Sequence, residues 1–264
     1  MTDTYLVTGG SGRLGSAVTA RLRAAGQHAR VLSRRPRPPD LPADIGWVTG
    51  DLTTGAGLSR AVDGVSSILH CATNVWAPRH DAAGTERLIA VAQTAGSPNL
   101  LYISIVGVDS VPLPYYRAKL AAEQRVRAGG LPWTILRATQ FHDLVDTILR
   151  TAARLPAVMV VPAAVPFQPV AVGDVADRLV QLAGAEPTGQ IQDFGGPEIL
   201  PVADLARAYL RAANRRRVIV PIRVPGKIFA GYRRGGHLTP EHADGRVTFE
   251  EFLAERYGHR SRTE

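Results

Sequence analysis

Short apolar runs alternate with amphipathic stretches along the first half of the chain. The runs at 5–7, 29–33, 47–52, 65–72, 100–106 and 133–137 have the length of buried strands. Between them Leu14, Val18 and Leu22 recur every fourth residue. Leu58, Ala61 and Val62, then Leu88, Ile89 and Ala92 within 80–95, keep a similar spacing. So do Leu120, Ala121 and Val126 within 116–128, a stretch that Gly129 and Gly130 end. This spacing puts each set on one face of a helix. Strict strand–helix alternation predicts an α/β fold, a doubly wound parallel sheet with right-handed crossovers. Ligands of such sheets lie across the carboxyl ends of the strands.

From Phe141 onward the rhythm loosens and prolines become frequent. Strands are expected at 158–161, 167–172, 190–194 and 218–222, and a helix at 201–213. Asp174 is expected to cap a helix running to 182. Thr248 is the expected N-cap of a last helix, 249–257, with Glu250 and Glu251 suited to its first turn. Residues 1–140 are expected to form the main domain. Residues 141–264 are expected to be mainly a smaller, substrate-binding lobe, interleaved with the main sheet and closing over the first domain.

The first strand runs into Thr8-Gly9-Gly10-Ser11-Gly12-Arg13-Leu14-Gly15. Glycines at 9, 12 and 15 between a strand and a helix form the phosphate end of a dinucleotide site. Gly9 permits the turn, Gly12 lets backbone approach a pyrophosphate, and Gly15 lets helix and strand pack closely. The N–H groups at the helix start then face the phosphates. The second strand ends in Ser33-Arg34-Arg35, with no carboxylate before Asp40. A carboxylate there would hold a ribose 2′-hydroxyl, whereas arginine grips a 2′-phosphate. Arg13 is placed to reach the same phosphate. The pattern favours NADP(H) over NAD.

Composition narrows the field. Of the +8 formal charge, residues 201–264 hold +6, with 13 basic against 7 acidic side chains. The densest cluster, Arg211 with Arg215, Arg216 and Arg217, has no aromatic interleaving, so no nucleic-acid partner is expected. Pro156, Pro162, Pro166 and Pro169 break the best candidate for a membrane span, and no membrane partner is expected. Cys71 is the only cysteine, and with the glycine strand so close to Met1 no signal peptide is expected. A reducing, cytoplasmic setting is the expectation. Cys71 itself reads as a small buried hydrophobe. The partner expected is a small-molecule substrate, with oligomeric state open between monomer and homodimer.

A second constellation is Tyr115-Tyr116-Arg117-Ala118-Lys119. Tyr115 and Lys119 lie one helical turn apart. A nearby ammonium is expected to lower the phenol's pKa, and a tyrosine so tuned exchanges a proton with a carbonyl while hydride moves. With the glycine motif, this pair resembles the short-chain dehydrogenase/reductase superfamily, more narrowly its atypical, NmrA-like NAD(P)-binding branch. The resemblance extends through Tyr102-Ile103-Ser104-Ile105-Val106-Gly107, Leu136-Arg137-Ala138-Thr139-Gln140-Phe141-His142 and Asp174-Val175-Ala176 to Thr248-Phe249-Glu250-Glu251-Phe252-Leu253. It implies a Rossmann-type NADP-binding domain with a small C-terminal substrate lobe. Asp51 and Leu52 would then flank adenine, and Cys71, Ala72 and Thr73 would line the pyrophosphate–ribose path. Lys119 would hold the nicotinamide ribose, with Thr139 and Gln140 near the nicotinamide; Gly9, Ser11, Gly12, Arg13, Leu14, Gly15, Ser33, Arg34 and Arg35 complete the cofactor set.

One position departs from the family pattern. Standard members carry a Ser or Thr after the fifth strand; here the only hydroxyl is Ser104, and the usual place falls on Ile105. Neighbouring strand residues face opposite ways. Tyr115 and Ser104 remain catalytic candidates, and His142 and Gln140, on the loop after the sixth strand, are alternative proton donors. His142 also reads as a partly buried histidine bonded to backbone. Trp76, Ile105, Val106, Phe141, Phe167 and Gln168 are expected to line an apolar slot between the sheet edge and the second lobe. The leading expectation is an NADPH-dependent reductase of an apolar carbonyl, quinone-like or conjugated molecule. Alternatives are an NADP(H)-binding redox sensor without turnover, or an isomerase, dehydratase or cyclase on the same fold.

Overall fold

The structure is a computed structural model, described over residues 3–74 and 78–258. The first half builds β1 (Thr4–Thr8), α1 (Arg13–Ala24), β2 (His28–Ser33), β3 (Gly46–Thr49) and α2 (Leu58–Val62). It continues with β4 (Ser67–His70), α3 (Arg79–Thr94), β5 (Asn99–Ile105), α4 (Pro114–Ala128) and β6 (Trp133–Ala138). The second half builds α5 (His142–Ala152), β7 (Val158–Pro162), β8 (Pro166–Phe167), α6 (Val172–Ala183) and β9 (Gly189–Gln190). Then come β10 (Leu200–Pro201), α7 (Val202–Ala212), β11 (Val218–Ile222), α8 (Lys227–Arg233) and α9 (Phe249–Gly258).

The chain forms two compact units. The first comprises Met1–Ser104, Pro114–Arg137 and Val175–Gln192. Its centre is a seven-stranded parallel sheet in the order β3-β2-β1-β4-β5-β6-β9. The order reverses beside β1: the chain steps outward to β2 and β3, then returns to β4 on the other side. Such a switch point leaves a crevice at the carboxyl ends of β1 and β4. Leu6, Leu58, Ile68, Leu88, Leu100, Tyr102, Val126 and Ile135 are buried together in its core. α1 buries Leu14, Val18 and Leu22, the stripe its spacing predicts.

The second unit comprises Ile105–Leu113, Ala138–Asp174 and Asp193–Glu264. It holds two small sheets, β8 with β10 antiparallel and β7 with β11 parallel. Val145, Leu149, Met159, Val161, Leu205, Tyr209, Phe249 and Leu253 form its core. Three expectations are corrected here. The strand expected over 167–172 shrinks to Pro166–Phe167 and one bridge between Phe141 and Val170. Asp174 does not cap α6; it sits in the first turn, and its Oδ2 accepts the backbone N–H groups of Arg246 (2.7 Å) and Val247 (3.1 Å). His142 opens α5 instead of lying on a loop. Thr248 does cap α9: its Oγ1 accepts the Glu251 N–H at 3.2 Å, and Glu251 answers with Oε2 on the Thr248 N–H at 2.8 Å.

Candidate functional site

The site in the first unit starts at the turn between β1 and α1. Gly9 has φ of +67°, and a Cβ there would lie 2.8 Å from the Ala72 backbone. Only glycine suits both conditions. Gly15 is equally constrained, since its Cβ would meet Gly9 O at 2.3 Å. Gly12 differs: its Cβ would meet only Gly9 O, at 3.1 Å. It begins α1 with no side-chain cap, and the first turn has no acidic residue. Uncapped N–H groups beside a glycine cradle, with no carboxylate to repel an anion, fit a bound diphosphate. Leu14 is buried under this turn, while Ser11 and Arg13 are exposed.

The end of β2 adjoins the same turn. Ser33 Oγ lies 3.2 Å from Ser11 Oγ and accepts the Arg35 N–H at 3.1 Å. The hydroxyl link ties the β2 end to the glycine loop, and Arg34 and Arg35 extend from it exposed. Trp47 Nε1 donates to Arg35 O at 3.1 Å. One Asp51 carboxylate oxygen accepts the Thr53 N–H at 2.8 Å, and Leu52 follows it, half-buried.

At the end of β4, Ala72 N–H donates to Thr8 Oγ1 at 3.2 Å. Burial pushes the neighbouring Cys71 thiol up to about 12, with Lys119 acting the other way, so it is no nucleophile. Thr73 Oγ1 lies 3.1 Å from the Tyr115 hydroxyl and donates to Asp81 Oδ2 at 2.5 Å. Asp81, in the first turn of α3, also accepts the Asn74 N–H at 3.1 Å. The sequence pattern does not single out Asp81, because an acidic residue at a helix start is ordinary. Trp76 lies outside the described residues.

Tyr115 and Lys119 both project from α4, yet their environments part. Lys119 is 3% exposed; its Nζ donates to Ile103 O at 2.7 Å and stands 4.1 Å from the Tyr102 ring centroid. Burial lowers its pKa to about 8, against Asp81, Cys71 and Glu123. Tyr115 is raised, by burial first and then by the Asp81 charge, with the Thr73 hydrogen bond working the other way. This reverses the expected lowering: the ammonium is engaged at Ile103, and the carboxylate is the charge the phenol meets. Ser104, 2% exposed, belongs to the Glu123 side of α4. Burial works against the Glu123 charge, but the hydrogen bonds and charge of Arg137 and the charge of Arg127 hold the carboxyl below its usual range. Arg137 meets it with Nε at 2.9 Å and Nη2 at 2.8 Å, and Arg127 adds another bond at 2.8 Å.

The remaining candidates fall in the second unit. Thr139 and Gln140 are buried, and Thr139 Oγ1 accepts the Gly196 N–H at 3.2 Å. His142 is fully buried between Phe249 and Phe252, with Nε2 at 2.9 Å from Val247 O and its pKa lowered by burial. Gln168 is also fully buried, and its amide is fully engaged. It donates to Gly196 O (2.9 Å) and Thr239 O (3.1 Å), and accepts the Thr239 N–H (2.8 Å). Ile105 and Phe141 are half-buried, and Val106 is buried. Phe167, also half-buried, packs against Tyr232 and His237.

Residues 9–186 match the model of an NAD(P)H-binding family, and the chain belongs to it, in the atypical, NmrA-like branch of the short-chain dehydrogenase/reductases. A (4-alkanoyl-5-oxo-2,5-dihydrofuran-3-yl)methyl phosphate reductase of Streptomyces griseus is 30% identical over 80% of this chain and 74% of its own. A 2-alkyl-3-oxoalkanoate reductase of Stenotrophomonas maltophilia is 30% identical over 47% of this chain and 45% of its own length. An NADPH-dependent quinone oxidoreductase of Escherichia coli, solved with NADPH, has a TM-score of 0.79 at 17% identity. The likeness covers 96% of this chain and 99% of that one, and shows the shared fold. Family and relatives together mark the chain as an NAD(P)-dependent oxidoreductase. Among the described residues no helix is long and apolar enough to cross a membrane.

Proposed function

We propose that the protein is an NADPH-dependent reductase of an apolar, conjugated carbonyl compound. The observation that carries the reductase reading is Tyr115, a half-buried phenol that burial and Asp81 keep protonated. A phenol so held serves to donate a proton to a developing alkoxide or enolate oxygen. Gly9, Gly12 and Gly15 with the start of α1 would hold the diphosphate, and Lys119 the nicotinamide ribose. Ser11, Ser33, Arg13, Arg34 and Arg35 would take the 2′-phosphate, a role supported by the lack of any carboxylate from Ser33 to Pro39. Bound there, the cofactor supplies the hydride.

For the substrate, the Streptomyces relative's name describes an alkanoyl group on an unsaturated lactone, a conjugated carbonyl. The apolar side chains of Ile105, Val106, Phe141 and Phe167 suit such a compound. Gln168, whose amide is bonded to backbone, would shape the lining without offering it a hydrogen bond.

NADPH consumption with a panel of enones and quinones tests this reading. Tyr115→Phe is expected to cut turnover on the order of a hundredfold while NADPH still binds. Arg34→Glu is expected to weaken NADPH by about tenfold or more, leaving NADH little changed. Full turnover by Tyr115→Phe would remove the phenol from the mechanism. Unchanged NADPH preference in Arg34→Glu would overturn the 2′-phosphate assignment. NADPH binding with no turnover across the panel would favour a sensor.

A further inference from the structure

We propose that Asp81 is a positioning residue for Tyr115: its hold on the Thr73 proton fixes the phenol as a hydrogen-bond donor, and its charge opposes ionisation of the phenol. The inference rests on the reductase reading for its catalytic meaning, while the hydrogen bonds beneath it stand independently.

A threonine hydroxyl has one proton, and a carboxylate only accepts. The Thr73 proton is directed to Asp81 Oδ2 at 2.5 Å. Towards Tyr115, 3.1 Å away, the Thr73 oxygen therefore has only lone pairs to offer, so the phenol must donate. A phenolate would need the proton that Asp81 holds. Forming it would turn the Thr73 hydroxyl away from the carboxylate and place a second anion near Asp81. A phenol biased in this way stays in its acid form at neutral pH, the form that a reduction step requires of its proton donor.

The carboxylate itself is held by fixed groups. The Asn74 N–H points at both its oxygens, at 3.1 and 3.4 Å. Its place in the first turn of α3 favours an anion. Further back, the Asp81 carbonyl accepts the Thr85 hydroxyl at 2.8 Å. Thr85 Oγ1 is 3.0 Å from His70 Nε2, and His70 Nδ1 is 2.7 Å from Thr8 Oγ1. Thr8 Oγ1 already accepts the Ala72 N–H. The protons can be assigned consistently along this chain: Nε2–H donates to Thr85, and Thr8 donates to Nδ1, giving a neutral imidazole. Burial requires that state, lowering His70 to about 3, with Lys119 adding to the effect. The first turn of α3 is thus tied to β1 and β4, the two strands at the switch point. Among the described residues, the charged and titratable groups around the phenol include Asp81 from α3, Tyr102 from β5, and Tyr116 and Lys119 on its own helix, the Lys119 ammonium being bonded to Ile103 O.

The test uses the full chain without cofactor or substrate, labelled with ¹³Cζ-tyrosine, and Tyr115→Phe assigns the Tyr115 resonance by difference. Asp81→Asn keeps an oxygen for the Thr73 hydroxyl but removes the charge. It is expected to move the Tyr115 titration midpoint to lower pH, and the alkaline limb of reductase activity with it. Thr73→Val is expected to shift the Cζ resonance of the neutral phenol and to lower the reduction rate about tenfold. Thr73→Ser is expected to restore both. An unmoved midpoint in Asp81→Asn, or an unmoved neutral resonance in Thr73→Val, would overturn the proposal. If both resonances respond but Tyr115→Phe retains turnover, the coupling stands and the reductase role of Tyr115 fails.

Discussion

In the first unit the most deeply buried carboxylate, Glu123, meets two guanidiniums: Arg137 grips it with two nitrogens and Arg127 adds a third bond. In the second unit Gln168 and Asp174 are buried almost as deeply, but they clasp backbone groups of Gly196, Thr239, Arg246 and Val247. One unit fastens helix α4 to strand β6 by opposite charge, side chain to side chain. The other, beside its own charge pairs of Asp143 and Asp146 with Arg256, fastens loops that are 28 to 73 residues distant in sequence by side chain to main chain. An ion pair out of water is stabilising only while both partners are present. A side chain bonded to backbone closes a loop that has no regular ladder of its own.

Acid should strain both units at once and gives the largest expected effect. Burial holds His70 at about 3 and His237 at about 4, and lowers His142 as well. With folded values below the ordinary 6.5, the unfolded chain takes up protons first as pH falls. Stability is then complete above about pH 6.5 and drains toward pH 4 and below. Each such histidine removes about 1.4 kcal/mol for every pH unit crossed between its unfolded and folded values. Urea titrations at pH 7, 5.5 and 4.5 read this directly; a flat midpoint across that range would contradict it. Replacing His237 with phenylalanine should reduce the second unit's share, leaving the part due to His142, at the loss of the 2.8 Å bond to Pro166 O.

Glu123→Ala breaks the charge side of the comparison. It removes the carboxylate that faces Arg137, whose side chain is 9% exposed, and should cost about 3–5 kcal/mol in urea unfolding at pH 7. The lowered Glu123 pKa gives the dependence a sign: the contribution is complete above the usual carboxylate range and is lost as pH falls below that range through the lowered folded value. Gln168→Leu breaks the neutral side, orphaning groups on Gly196 and Thr239, with an expected cost of about 2–3 kcal/mol. A Gln168→Leu variant as stable as the parent would mean that these loops do not depend on the clasp.

The same contrast explains what the sequence makes legible. In the first unit, apolar runs and one-face spacing are local signals, and the parallel sheet, α1 and the glycine turn follow from them. In the second unit the signals run against the rule. α5 turns His142 and Asp146 inward with Val145 and Leu149, while Leu144 and Ile148 are about half exposed. Its buried face is therefore offset from its apolar stripe, and hydropathy alone points to the wrong edge. Asp146 accepts the Tyr257 hydroxyl at 2.6 Å and pairs with the charge of Arg256 at 3.3 Å, both from α9, which no local pattern announces. Asp174 resembles a cap because its partners are more than seventy residues away. At the site, Tyr115 and Lys119 are legible as a pair one turn apart. The carboxylate beside the phenol comes from a different helix, and only the fold supplies it.

Gly12 separates two kinds of selection acting on the glycine turn. At Gly9 and Gly15 a methyl group would collide with main chain at 2.8 and 2.3 Å, so folding itself forbids the change. At Gly12 the nearest obstacle is one carbonyl oxygen at 3.1 Å. A population of variants sorted for solubility alone would therefore keep the outer two glycines and drift at the middle one. The same population sorted for nucleotide binding would hold all three, and the difference at a single position would report the demands of the ligand apart from those of the fold.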